Sequence, residues 1–142
     1  FRSRDNLPLA IAQEGIPLSF DVAFSRSRLV AFRDQAAQWL EHEHPLLQLY
    51  DFGHFADGGC HLIVLVPHAH IARYGIAKLV AVRSGLYKLV SENGGCFSAE
   101  HGVGPMNAAY YSKYTPPRVQ AISRAMQQLM DPQAVLGRYR YT

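Results

Sequence analysis

Little in this sequence is extreme, and its shortages are the first guide. There are only two cysteines in 142 residues. That is too few for a disulfide framework, and neither Cys60 nor Cys96 stands at zinc-ribbon spacing. Both fall in apolar, strand-like runs, so buried, reduced thiols in a cytoplasmic protein are expected. No apolar run reaches the ~18 residues that span a membrane, and no signal peptide is visible. Charged residues make up 18% of the chain, and its net charge of +3 is spread without a Lys/Arg cluster. That distribution argues against a nucleic-acid partner. A Walker loop, a nucleophile elbow and a strand-to-helix GxGxxG are all missing. No internal repeat, low-complexity segment or interdomain linker stands out. What remains is a chain that is 49% hydrophobic, long enough for one domain with a real core. It opens on Phe1-Arg2-Ser3-Arg4 without a Met, as a piece of something longer would.

Hydrophobic periodicity divides the chain into elements. Arg4 to Gln13 can form a short helix, with Pro8 tolerable only in a first turn and Gly15 as its stop. Pro17 to Phe24 alternates, with Leu18, Phe20, Val22 and Phe24 on one side, and reads as a half-buried strand. Ser25 or Ser27 can cap a following helix, along which Leu29, Phe32, Ala36, Trp39 and Leu40 recur at helical spacing. His42, His44 and Pro45 end it, the two imidazoles solvated. Leu46 to Phe55 and Cys60 to Val66 form a hairpin around Asp57-Gly58-Gly59. Ile71 to Val90 reads as a long amphipathic helix that stops at Asn93-Gly94. Gly95 to Ser98 is a fourth strand. Met106 to Lys113 is helical, and Pro116-Pro117 starts a last helix with Val119, Ile122, Met126, Leu129 and Met130 on one face. The order strand, helix, strand, strand, helix, strand predicts a ferredoxin-like split βαβ domain of the α+β class. Its antiparallel sheet carries helices on one face, with further helices at the C-terminal end.

Two constellations could carry chemistry. In Gly94-Gly95-Cys96-Phe97-Ser98-Ala99-Glu100-His101-Gly102-Val103-Gly104, glycines surround a short apolar run that ends in Glu-His. The carboxylate and imidazole can ligate a metal or supply a base. They can equally be two polar surface residues on a glycine-rich turn. In Gly53-His54-Phe55-Ala56-Asp57-Gly58-Gly59-Cys60-His61, two imidazoles flank a tight turn and can converge from neighbouring strands. Two His and one carboxylate make a common divalent-metal set, with Glu100 as the carboxylate and Asp57 as a second candidate. Asp57 has a simpler explanation, since Asp caps its own turn. A hydrogen-bonded cross-strand His pair without metal fits the spacing as well.

Taken together, the two constellations resemble the C-terminal, substrate-side domain of the FAD-linked oxidases. These are the D-lactate dehydrogenase, glycolate oxidase and D-2-hydroxyglutarate dehydrogenase relatives within the vanillyl-alcohol oxidase superfamily. The family pattern Gly-His-x-x-Asp-Gly-Asn-x-His corresponds to Gly53–His61, with Gly59 in place of Asn. The pattern Gly-Gly-x-x-Ser-x-Glu-His-Gly-x-Gly is complete over Gly94–Gly104. A tail motif is matched by Asp131, Pro132 and Leu136, after which Gly137-Arg138-Tyr139 departs from the pattern. Asp21 matches a strand Asp of the family. The resemblance covers nearly the whole chain.

The resemblance implies roles for particular residues. His54, His61 and Glu100 would bind a divalent metal, with zinc favoured. The metal would hold a 2-hydroxy acid and lower its hydroxyl pKa. His101 would be the general base that takes the hydroxyl proton as hydride passes to the flavin. Arg4 would clamp the substrate carboxylate through its planar guanidinium. FAD would be bound mainly by an N-terminal domain of the same protein, so the fragment alone would not turn over. Peripheral membrane attachment through an electron acceptor, and pairing into a homodimer, stay open. Pro8 and Ser19 replace the substrate-binding Thr and Lys of the hydroxyglutarate enzymes, which argues against recognition of a second, distal carboxylate.

Other readings of the same residues are a stand-alone metal-dependent hydrolase or lyase, and a non-catalytic ferredoxin-like interaction module. The plain split topology also poses a problem. The fourth strand would run parallel to the third, carrying Glu100 to the far end of the sheet, about 20 Å from the hairpin turn. Either the sheet departs from that pattern, as the resemblance suggests, or the three ligands never meet.

Overall fold

The computed structural model describes the backbone of residues 2–136 and the side chains of residues 6–136. One compact unit runs to His101, and a second begins at Gly102. The first unit holds α1 (Arg2–Gln13), β1 (Gly15–Ala23), α2 (Arg26–Glu43), β2 (Gln48–Phe52), β3 (Gly59–Pro67), α3 (Ile76–Glu92) and β4 (Cys96–Phe97). Its sheet has the order β2-β3-β1-β4, with every neighbouring pair antiparallel. This is the strand order of the split βαβ pattern, and the domain is α+β as expected.

Alternation along β1 and β3 gives the sheet two different faces, since residues paired across strands share a side. Phe20 pairs with Leu62, and Val22 with Cys60. On this side the Phe20 ring meets Tyr87 of α3 at 5.3 Å, edge to face. Just beyond β1, Phe24 stacks on Phe32 of α2 at 4.1 Å. The buried residues of both helices (Leu29, Phe32, Ala36 and Leu40; Val82, Leu86, Tyr87 and Val90) complete this core. Burying each of the larger aliphatic and Phe side chains here is worth about 1.5–3 kcal/mol. The opposite face begins with Asp21 paired to His61 and Ser19 paired to Ile63. Toward its other end Ile63 and Leu65 are covered by Ile11 of α1, with Tyr50 and Phe52 alongside.

Several element boundaries differ from the sequence expectations. The first helix begins at Arg2 and runs through Pro8 rather than holding it in a first turn. β2 starts only at Gln48, because a turn closed by the Leu47 N–H on the His44 carbonyl (2.9 Å) occupies the preceding residues. The long helix expected from Ile71 is divided. A 3₁₀ turn covers His68–Arg73, Tyr74 turns inward and is buried, and α3 starts after Gly75. His42 is exposed beside Glu43, but His44 is half-buried between Trp39 and Tyr74, and burial lowers its pKa. Cys60 is buried, whereas Cys96, expected to be buried too, is exposed on the edge strand.

The second unit is a helical pair, α4 (Gly104–Tyr114) and α5 (Pro117–Met130). Pro116 and Pro117 open α5, where a missing N–H costs nothing. The Gln120 side-chain amide donates to the carbonyls of Ser112 and Thr115 (3.2 and 2.7 Å), tying the two helices at their junction. Asp131 ends α5 and accepts the N–H groups of Val135 and Leu136. The departing tail Gly137-Arg138-Tyr139 lies outside the described residues.

Candidate functional site

Four segments of the first unit bring their polar side chains to one end of the sheet. His54 sits on the loop leaving β2, just ahead of a 3₁₀ turn over Phe55–Asp57. The His54 carbonyl accepts the N–H groups of Asp57 and Gly59 at 2.9 and 3.0 Å, which fixes the loop. Below it, Arg33 of α2 donates to Asp51 on β2 and lays its guanidinium over the Phe55 ring, 5.4 Å from the centroid. His61 projects from β3 on the face away from α2 and α3, opposite Asp21. Gly53 passes directly over its ring. A Cβ at Gly53 would lie 2.8 Å from His61 Cδ2, and φ of 120° is itself a glycine conformation.

Glu100 and His101 arrive from β4, and this resolves the distance problem raised by the topology. The fourth strand does run parallel to the third, and the sheet keeps its plain order. But β4 enters at the hairpin end, pairing Cys96 with Ala23, whose other partner is Gly59. It lasts two residues instead of the four expected, and the backbone turns at Ser98 with φ of 57°. The chain therefore never travels the length of the sheet. The Ser98 N–H donates to the Asp21 carbonyl (2.6 Å). Oδ2 of Asp21 then accepts the N–H groups of both Glu100 and His101, at 2.7 and 3.0 Å.

The resulting cluster is close. Oε1 of Glu100 lies 3.0 Å from His54 Nε2, and Oε2 lies 3.7 Å from His61 Nε2. Each carboxylate oxygen thus faces a different imidazole. On the other side of His61, Nδ1 is 3.9 Å from Asp21 Oδ1. His101 Nδ1 is 3.3 Å from Asp21 Oδ2, and its ring stacks on that of His61 at 5.3 Å. Among the described residues, two groups have donor atoms all within 4.8 Å of one another: His54, His61 and Glu100, and Asp21, His61 and His101. Asp57, the other carboxylate considered from sequence, belongs to neither. Asp21 is the member to which spacing gave no role, although it is nearly buried at 11% side-chain exposure. Apart from its match to a strand Asp of the family, the signal for it was an acidic residue on the polar side of an alternating strand. Arg4 lies in α1, but its side chain is outside the described residues. Ser19 is exposed on the same face of β1 as Asp21, two residues away. No helix among the described residues is long and apolar enough to cross a membrane.

The chain belongs to the family described as FAD linked oxidases, C-terminal domain, which it matches over residues 2–141. It is similar to the D-2-hydroxyglutarate dehydrogenase of Xanthomonas citri pv. viticola, at 28% identity over 96% of this chain and 29% of that protein. The D-2-hydroxyglutarate dehydrogenase of Stutzerimonas stutzeri is 26% identical over 85% of this chain and 26% of its own length. A mitochondrial protein of the same name from Arabidopsis thaliana is 32% identical over 67% of this chain and 16% of its own. The chain thus spans less than a third of the length of these relatives.

Proposed function

We propose that this chain is the substrate-side domain of an FAD-dependent dehydrogenase that oxidises a D-2-hydroxy acid to the 2-oxo acid. In this reading His54, His61 and Glu100 hold a divalent metal, zinc first among candidates, and His101 is the general base. The observation that carries it is the facing of one Glu100 carboxylate toward two imidazoles, with a third imidazole stacked beside them. Two nitrogen donors and a carboxylate within 4.8 Å of one another suit a divalent ion. Glu100 is 43% exposed, which leaves an open side for substrate. When bound, the metal would supply Lewis acidity at the substrate hydroxyl, and FAD, held mainly by an N-terminal domain, would take the hydride from C2.

The chain's own residues do the rest. His101 accepts the hydroxyl proton at Nε2, since its Nδ1 is turned to Asp21. Loss of that proton and of the C2 hydride balances hydroxy acid against oxo acid. Arg4 clamps the 1-carboxylate bidentately. Ser19 replaces the Lys of the hydroxyglutarate enzymes on the same face as Asp21, so the substrate class is a 2-hydroxy acid without a second carboxylate. That choice departs from the names of the relatives and is tested by comparing D-lactate with D-2-hydroxyglutarate in the flavin-containing protein.

The first experiment is elemental analysis of the purified chain after zinc or manganese loading, beside His54→Ala and Glu100→Ala. About one metal per chain, lost in both variants with the circular dichroism spectrum unchanged, is the expected result. Stoichiometric metal retained in either variant would overturn the ligand set. Hydrolytic turnover by the chain without flavin would favour the stand-alone metal-enzyme reading instead.

A further inference from the structure

Asp21 has no role in the proposal above except as a neighbour, yet it contacts both Glu100 and His101 and faces His61. Oδ2 accepts two successive backbone N–H groups, from Glu100 (2.7 Å) and His101 (3.0 Å), and faces His101 Nδ1 at 3.3 Å. Oδ1 is left for His61 Nδ1 at 3.9 Å. With Oδ2 so engaged, Asp21 has only Oδ1 to offer in the second group of possible metal donors. A carboxylate so placed acts on its neighbours through proton position. An imidazole that faces a carboxylate with one nitrogen carries its proton there and presents the other nitrogen bare.

We infer that Asp21 is the positioning residue of this site, with its two oxygens doing different jobs. Oδ2 fixes the Glu100-His101 segment through the backbone and orients the His101 ring, leaving Nε2 as the proton acceptor. Oδ1, at 3.9 Å too far for a hydrogen bond, biases the His61 proton toward Nδ1 through its charge, so that Nε2, the nitrogen on the Glu100 side, is free to ligate. The ring of His101 is 67% exposed, and among the described residues it is placed by its stack on His61 and by this contact with Asp21. The inference rests on the metal and base assignments above and adds to them a residue that touches neither substrate nor metal.

Asp21→Asn separates the two jobs. The two backbone N–H groups demand an acceptor where Oδ2 stands, so the amide oxygen takes that place. The amide nitrogen is then forced toward His61 Nδ1, where a donor replaces an acceptor and favours the wrong His61 tautomer. Asp21→Asn is therefore expected to keep the Glu100 and His101 backbone amide resonances and the His101 Nδ1–H tautomer, both read by ¹⁵N NMR. Its zinc affinity is expected to fall about 10–100-fold, the usual effect of losing a group behind a ligand. Asp21→Ala is expected to move those amide resonances and to release the His101 tautomer. A purely structural Asp21 would leave zinc affinity unchanged in Asp21→Asn, and that result overturns the Oδ1 assignment. A wild-type His101 protonated at Nε2 overturns the Oδ2 assignment. If the wild-type chain binds no zinc, the metal reading falls. The Oδ2 role then stands or falls on the His101 tautomer and the Asp21→Ala resonances, which need no metal.

Discussion

Cys60 and Cys96 lie on strands that flank β1 on either side, and their environments give them opposite reactivity. Burial, with Asp51 nearby, pushes the Cys60 thiol up to about 12, while Cys96 stands exposed on the edge strand. The thiolate is the reactive species, and with that pKa only about one Cys60 in ten thousand is ionised at pH 8. An aromatic disulfide reagent at pH 8 is expected to titrate one thiol rapidly in the folded chain and the second only on unfolding. Two fast thiols would mean that β3 is not buried as described. Sequence showed both residues in apolar runs but could not tell them apart. Burial of Cys60 comes from the central position of β3, and that depends on pairing partners far away in the chain. The resemblance picked out Asp21, but the same limit hid what it touches. Its two backbone donors lie 79 and 80 residues downstream, and no local pattern encodes them. His54, His61, Glu100 and His101 were legible because two motifs in a fixed order carry them.

At the scale of elements, helix and strand order was legible and element length was not. The alternation of β1 and the helical stripes of α2 and α3 follow from which side chains meet the shared core. The extent of β4 has another origin. Two residues pair with β1, and the chain then leaves the edge because Asp21 accepts its next N–H groups. A periodicity argument extends the strand and sends Glu100 away. The hairpin loop is likewise set from outside itself, by Arg33 reaching from α2 to Asp51 and Phe55. The Arg33–Asp51 pair is partly exposed, so it contributes about 0.5–1 kcal/mol, and the guanidinium over Phe55 adds about as much. Arg33→Ala is expected to lower stability by about 1–2 kcal/mol in urea melts and to weaken metal binding through a looser His54. The ionic share is expected to shrink at 1 M salt. An unchanged midpoint with unchanged metal affinity would show that the loop holds itself.

For the first unit as a whole, the core under α2 and α3 and the site are built from opposite faces of one sheet. Leu62 and His61 are neighbours on β3, one fully buried against the helix side and the other on the open face. The fold can therefore lose the site without losing the core. Leu62→Ala opens a cavity and is expected to cost about 2–5 kcal/mol, whereas Glu100→Ala removes a half-exposed side chain and is expected to stay within about 0.5 kcal/mol. On the proposed ligand set, a bound metal would narrow that difference. It would tie the β2–β3 hairpin to the loop after β4, which otherwise meets the hairpin end through its pairing with β1 and the hydrogen bonds to Asp21. Because the three proposed ligands converge only in the folded chain, metal at a hundred times its dissociation constant would stabilise by about 2.7 kcal/mol. For a unit of about 100 residues that is a rise in melting temperature of roughly 10 °C or more. The wild-type chain is expected to show that rise with zinc, Leu62→Ala to show it from a lower starting point, and Glu100→Ala to melt near the wild-type temperature with no response to zinc. A response surviving in Glu100→Ala would place the ion elsewhere, and its loss in Leu62→Ala would mean that core and site are one cooperative structure rather than two faces of a shared sheet.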